Sequence, residues 1–322
     1  NVSVIIISYS VVTKFALFSK EFKNLINFNK KIGKNLYKIL IKQDEYYNIN
    51  YTVNLINKFN PDYLLTVLDK DEDIKKIYKN VKIMPKIFKC LTGYTSECNK
   101  KRTRIKIKDR KTHIFYRGRK LHPMYGVLGQ LKYQIGEYFK NICKKENLKC
   151  DISSLSSDRI YGEKWFEILG SAKVTLATPS GSNVLNHDYS LSKKINSMVG
   201  YDDITLFIED DERYKKIWKA IKNTNLVKEE LNLEVISPKM FEAVELGTVL
   251  VMYECKYNNI FKSGIHYIPI KRDHSNIDEV VKKIKDDEYL QNISDRAYND
   301  IILSGKYSYK SFIEKFENDC NI

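Results

Sequence analysis

Continuous apolar runs of strand length recur along the chain, at Val2–Ser8, Leu36–Ile41, Tyr63–Val67, Thr112–Tyr116, Lys173–Ala177 and Thr248–Tyr253. Stretches with helical spacing of apolar residues separate them, and no long alternating hairpins intervene. Such strand–helix repetition predicts an α/β fold with parallel sheets. At 322 residues the chain exceeds the usual size of one hydrophobic core, so two domains are expected. The basic stretch Lys100–Lys111 reads as linker. It divides a first domain, residues 1–110, from a second, residues 111–322, whose last helix is expected to pack back on the first.

A hydrophobic fraction of 43% with 12% aromatics furnishes real cores and excludes wholesale disorder. No stretch approaches the length of a membrane span. Val2–Ser8 lacks the length, basic flank and cleavage site of a signal peptide, and a chain beginning at Asn1 reads as one whose true start is missing. The six cysteines form no CxxC pair and no His spacing suited to zinc, so a reduced cytoplasmic protein with no metal and no cofactor is expected. The net charge of +15 is uneven: residues 1–110 carry 23 Lys/Arg against 10 Asp/Glu, and the remainder 32 against 30. That asymmetry argues for an anionic membrane surface or a polyanion as partner of the first third, against solvated linker charge as the plain alternative.

Ser237-Pro238-Lys239 opens a short helix. Ser237 suits the N-cap, Pro238 the first helical position, and Gly247 the left-handed stop before the buried run Thr248–Tyr253. A helix start favours anions, Lys239 adds a cation, and Glu242 one turn on can grip a pair of hydroxyls, so the stretch suits a phosphate and a diol. The alternative is a capped helix with surface charges. Thr112–Tyr116 runs into Arg117-Gly118-Arg119-Lys120 and then a helix with Lys132, an order of strand, basic glycine turn and helix that suits phosphate but matches neither the Walker nor the dinucleotide pattern. Ser180-Gly181-Ser182-Asn183 is either a cradle for sugar or phosphate or an ordinary turn. Asp44 and Glu45 follow a strand run, where open α/β sheets present ligand-facing groups, and equally suit the first turn of a helix. Asn276 with Glu279 predicts a capping box.

Taken in order, Gln43–Tyr46, Tyr116–Leu121, Asp158–Trp165, Ser180–Asn183, Ile236–Ala243, His266–Ile270, Asp273–Asn276 and Gly305–Tyr309 resemble the motifs of the group 1 glycosyltransferases of GT-B type. Within these, the likeness is to the spore-maturation-like and bacterial cell-surface-polysaccharide branch. The resemblance implies two Rossmann-like domains facing a cleft, with a nucleotide-sugar donor held mainly by the second and the acceptor by the first. It implies Glu242 at the ribose, Arg117, Arg119, Lys120 and Lys239 at the diphosphate, and Ser180, Gly181, Ser182 and Asn183 along the donor loop. Glu234 stands in the E-x7-E spacing before Glu242, near the donor sugar. The glycine usual within that motif is absent, Thr178-Pro179 replaces an acidic residue and Asn186 an aspartate. The first domain is short for this fold, consistent with a truncated start.

The function so implied is metal-independent transfer from a nucleotide diphosphate sugar to a cell-surface glycan or glycolipid, at the inner face of the cell membrane. Retention of configuration is the expected course and needs no protein base. Inversion would require a carboxylate such as Asp44 or Glu45. Two alternatives stand beside it. A non-catalytic polyanion or nucleic-acid binder would explain the Lys100–Lys111 cluster and the 23 tyrosines but not Ser237–Glu242, so nucleic acid is not the expected partner. A sugar-nucleotide epimerase on the same fold would turn over donor without any acceptor.

Overall fold

The computed structural model describes residues 4–8, 20–31, 36–200, 211–228 and 230–320. Part of the strand run expected over 2–8 lies outside the described residues. The first sheet is built from β1 (Val4–Ile7), β2 (Tyr37–Lys42), β3 (Tyr63–Thr66) and β4 (Lys86–Lys89), with α1 (Lys20–Lys31), α2 (Ile49–Phe59) and α3 (Asp71–Ile77) between them. Its order is β1-β2-β3-β4, every pair parallel. All four residues of β3 are buried, as a parallel strand covered on both faces requires. Helix α2 packs Tyr51, Leu55, Ile56 and Phe59 into the same core as Leu40 and Leu64. Asn60 stops it in a left-handed conformation, donating to the Ile56 carbonyl, with Pro61 next.

The second unit comprises β5 (Thr112–Arg117), α4 (Gly126–Lys145), β6 (Cys150–Ser153), α5 (Glu163–Ser171), β7 (Ala172–Ala177), β8 (Ser180–Ser182), α6 (Ser190–Val199), α7 (Asp211–Ile221), β9 (Leu233–Val235), α8 (Pro238–Glu245), β10 (Val249–Tyr253), β11 (Ile268–Ile270), α9 (Ile277–Ile284) and α10 (Asp287–Ala297). Five of its strands form a parallel sheet of order β11-β10-β7-β5-β6. From β5 the chain goes first to β6 on one side and then to β7 on the other. The crevice outside the carboxyl ends of strands at such a reversal is where open α/β sheets bind ligands. A closing helix, α11 (Tyr309–Cys320), returns to the first sheet, where Phe312, Phe316 and Cys320 pack with Ile39, Tyr63, Leu65 and Phe88.

Three details differ from the sequence reading. Ser180–Ser182 is a short strand antiparallel to β9 rather than a free turn, with Gly181 opposite Glu234. Gly181 sits at φ +116, and a Cβ there would lie 1.8 Å from the Leu233 carbonyl oxygen, so only glycine lets the two strands meet. The capping box at Asn276 is not formed: Asn276 Oδ1 accepts from the Lys271 N–H at 2.9 Å and Glu279 pairs with Lys283 at 2.6 Å, so Asn276 closes the turn after β11 instead. The stretch Lys100–Lys111 is anchored by its arginines rather than simply solvated. Arg110 is buried and donates to the carbonyls of Ile105, Ala172 and Leu246 and to the Thr248 hydroxyl, at 2.7–2.9 Å. Arg102 forks onto Glu163 at 2.7 and 2.9 Å and lies over the Phe166 ring.

Among the described residues no helix is long and apolar enough to cross a membrane, and no cluster of His, Cys, Asp and Glu is arranged to hold a metal.

Candidate functional site

The carboxyl ends of the two sheets face each other across a cavity of about 210 Å³. Gln43–Tyr46 and Val67–Leu68 line it from the first sheet, and Lys132, Ser180, Gly181 and Val235–Pro238 from the second. The segment that follows β4 holds the far wall in place. Thr92 donates its hydroxyl to the Ile236 carbonyl, and Gly93 packs against Pro238 with only 2.9 Å available to a Cβ.

Lys239 sits at the strand-order reversal. Its ammonium donates to the Leu176 carbonyl of β7 at 3.1 Å and lies 4.3 Å from the centre of the Tyr116 ring of β5. Burial lowers its pKa to about 7; repulsion from Lys132 adds to this and Glu242 opposes it. Lys132 is itself lowered by burial, with Asp44 opposing and Arg119 adding. Neither ammonium has an ion-pair partner among the described residues, and the exposed Arg119 has none either. Two desolvated cations that repel each other gain from an anion placed between them.

Helix α8 begins and ends largely as its residues dictate. Ser237 stands at the N-cap in an extended conformation with Pro238 after it, but its side chain makes no capping bond, and Ser237 lines the cavity instead. At the other end Gly247, at φ +70, donates to Val244 at 3.0 Å and Thr248 donates to Ala243 at 2.8 Å, the paired bonds of a glycine stop. On this helix Glu242 is half-buried and its Oε2 accepts from the Trp165 indole at 2.9 Å, while Trp165 packs on Phe115.

Asp44 holds a left-handed backbone at φ +53 and accepts the Tyr46 hydroxyl at 2.6 Å. Glu45 is only 2% exposed. Its Oε1 takes the Thr66 hydroxyl and the Val67 N–H, its Oε2 has no partner among the described residues, and burial raises its pKa to about 7.

Other expected residues point elsewhere. The Arg117 guanidinium pairs with Asp151 at 2.7 Å and donates to the Asp158 carbonyl at 2.9 Å. Lys120 is buried, its ammonium 5.6 Å from the centre of the Tyr133 ring. Ser182 bonds to the Tyr125 and Val184 carbonyls, and Asn183 Oδ1 accepts from the Leu128 N–H in the first turn of α4 at 2.6 Å. Glu234 pairs with Arg272 at 2.6 Å, accepts the Cys255 thiol at 2.9 Å, and lines a neighbouring cavity of about 150 Å³. The structure therefore gathers Asp44, Glu45, Ser180, Gly181 and Ser237 around the cleft, with Arg119, Lys239 and Glu242 within electrostatic reach of it. From the sequence, Lys132 stood only as part of the helix after the basic turn and Trp165 only within the Asp158–Trp165 motif, neither with a role of its own at the site. The signal for Lys132 was the glycine spacing around it: a Cβ at Gly118 would meet the Lys132 carbonyl at 2.7 Å, and one at Gly136 would press on Tyr116 at 3.2 Å.

The sequence matches no protein-family profile and no curated protein. Solved structures share its chain path. An alpha-glucosyltransferase (AGT) in complex with UDP aligns with a TM-score of 0.56 at 9% identity, over 99% of this chain and 80% of that one. The alpha-glucosyltransferase with UDP and a 13-mer DNA containing a HMU base gives 0.57 at 10% identity, over 98% and 79%. The fold is GT-B. TarM aligns at 14% identity with a TM-score of 0.47 over 98% of this chain, which spans about half, 54%, of TarM's length. Identities this low carry the architecture alone. Within the GT-B frame the 210 Å³ cavity is part of the cleft between the two Rossmann-like domains.

Proposed function

We propose that the chain transfers a glycosyl group from a nucleotide diphosphate sugar to a hydroxyl acceptor. The observation that carries this is the Lys132–Lys239 pair, one lysine lining the cleft and the other buried at the strand-order reversal, each desolvated and with no ion-pair partner among the described residues. A diphosphate between them relieves their repulsion, and Arg119 meets it from the rim. As the bond from the anomeric carbon to the diphosphate breaks, the electron pair leaves with the phosphate, and cations already in place stabilise that charge. Glu242, oriented by Trp165, offers its other oxygen to the ribose hydroxyls. Ser180 and Gly181 face the donor sugar.

The acceptor enters from the first domain. Asp44 and Glu45 already accept hydrogen bonds, and Glu45 is buried beneath the surface, so we favour the retaining course, in which the departing phosphate takes the acceptor's proton. A UDP-sugar is the donor to try first, since similar structures hold UDP. The motif order supports a cell-surface glycan or glycolipid as acceptor. The basic first third supports work at the cytoplasmic face of an anionic membrane.

Thermal-shift screening against UDP-, GDP-, ADP- and CMP-linked sugars, followed by measurement of nucleotide release, tests the reading. One class of donor should stabilise the fold and be turned over. No shift with any donor, together with tight salt-sensitive binding of RNA, would overturn it.

A further inference from the structure

Beside the cleft a second cavity, of about 300 Å³, opens between the carboxyl ends of β3 and β4 and the closing helix α11. Val67 and Leu68 line both, so a single strand end separates this cavity from the reaction site. None of its other lining residues has a part in the donor machinery described above. Its wall is aromatic, with the Tyr94 and Phe312 rings 4.7 Å apart between centres. Its rim is basic, with Lys89, Lys306 and Lys315 against the single carboxylate of Asp69. Lys89 is engaged, with Asp71 at 2.8 Å and the Asp69 carbonyl at 2.6 Å. Lys306 and Lys315 are exposed and form no ion pair among the described residues; Lys315 lies 5.7 Å from the centre of the Phe88 ring.

Aromatic faces stack on the C–H face of a sugar ring, and free ammonium groups at the mouth select negative charge. Asn258 closes the far side from within Tyr257–Asn259, three consecutive residues of positive φ. Backbone of that kind is costly and gathers at ligand sites.

We propose that this cavity is the acceptor site and that the acceptor is an anionic saccharide, bearing a carboxylate or a phosphate ester close to the hydroxyl that is glycosylated. The inference rests on the glycosyl-transfer reading above. In the transfer the acceptor oxygen bonds to the anomeric carbon, the bond to the diphosphate breaks with its electron pair, and the hydroxyl proton passes to the released phosphate. Lys306 and Lys315 hold the acceptor's own charge away from that phosphate.

The test is calorimetric titration, at saturating UDP, of three probes: methyl glucuronide, N-acetylglucosamine 1-phosphate and uncharged methyl glucoside. At least one charged probe should bind about tenfold or more tightly than the glucoside, and added salt should weaken it. The stronger charged probe distinguishes a carboxylate from a phosphate ester. Lys306→Glu combined with Lys315→Glu, both on the surface, should weaken the charged probe about tenfold or more while leaving UDP affinity unchanged. Equal binding of all three probes, no binding of either charged probe, or an unaltered affinity in the double variant overturns the inference. UDP affinity is read on the same samples: its absence from the native chain refutes the transferase reading itself, whereas its presence with failed probe discrimination refutes only the acceptor site.

Discussion

Nucleotide binding at Lys239 should carry a proton. Burial first, and repulsion from Lys132 second, bring its ammonium from the ordinary 10.5 down to about 7. A diphosphate beside it favours the charged form, so the bound pKa lies above the free one. Below the free value the ammonium is present both before and after binding, and affinity does not change with pH on its account. Above it, the free protein must take up a proton to bind. The fraction already charged falls from about one half at pH 7 to about 1% at pH 9, so UDP affinity should fall about fiftyfold over that interval, with uptake approaching ~1 proton per UDP. Calorimetry in buffers of different ionisation enthalpy reads both quantities. Lys239→Met should lower the affinity at neutral pH and remove most of the slope, the remainder belonging to Lys132, which burial also lowers. A UDP affinity that is flat or rises across this range, or a Lys239→Met profile that matches the native one, refutes the reasoning.

Glu45 gives a stability signature of its own. With its pKa raised from 4.5 to about 7, the folded chain keeps a proton that the unfolded chain has lost, so the group erodes stability as pH climbs through that window and does so fully above it. Glu45→Gln should therefore raise Tm at about pH 8 relative to its effect at about pH 5, and melts showing the same change at both would count against the assignment. Arg110→Met leaves the buried carbonyls of Ala172 and Leu246 without their donor, and urea unfolding should show a loss of about 3–5 kcal/mol; a loss below about 1 kcal/mol would contradict the anchoring role. Gly181→Ala forces a Cβ to within 1.8 Å of the Leu233 oxygen at positive φ, so Tm and donor turnover should both drop, and native-like values of both would show that the β8–β9 pair does not shape the donor loop.

Parallel sheets were legible because strands buried on both faces, such as Tyr63–Thr66 and Val249–Tyr253, read as unbroken apolar runs. The cleft helix was legible for a related reason. Pro238 and Gly247 are tied to one end of a helix each, whatever surrounds them. Charged side chains carry no such local mark of their partners. Arg117 finds Asp151 on the neighbouring strand and Arg110 finds carbonyls at 172 and 246, pairings that strand order alone creates. The same holds for β8, three residues whose partner strand begins at Leu233, and for Glu234, which the E-x7-E spacing placed beside the donor and which the structure pairs with Arg272. Lys132 was legible only as a member of the helix after the basic turn, and its own role becomes distinctive once Asp44 and Lys239 lie near it.

The central claim is that a nucleotide diphosphate binds between Lys132 and Lys239. Titration of UDP into the native chain and into Lys132→Met combined with Lys239→Met, at neutral pH and low salt, tests it most directly. The account predicts saturable single-site binding to the native chain and an affinity weaker by about a hundredfold in the double variant, with no loss of Tm because two desolvated charges have been removed. No saturable binding to the native chain, or equal affinity in a folded double variant, would contradict it.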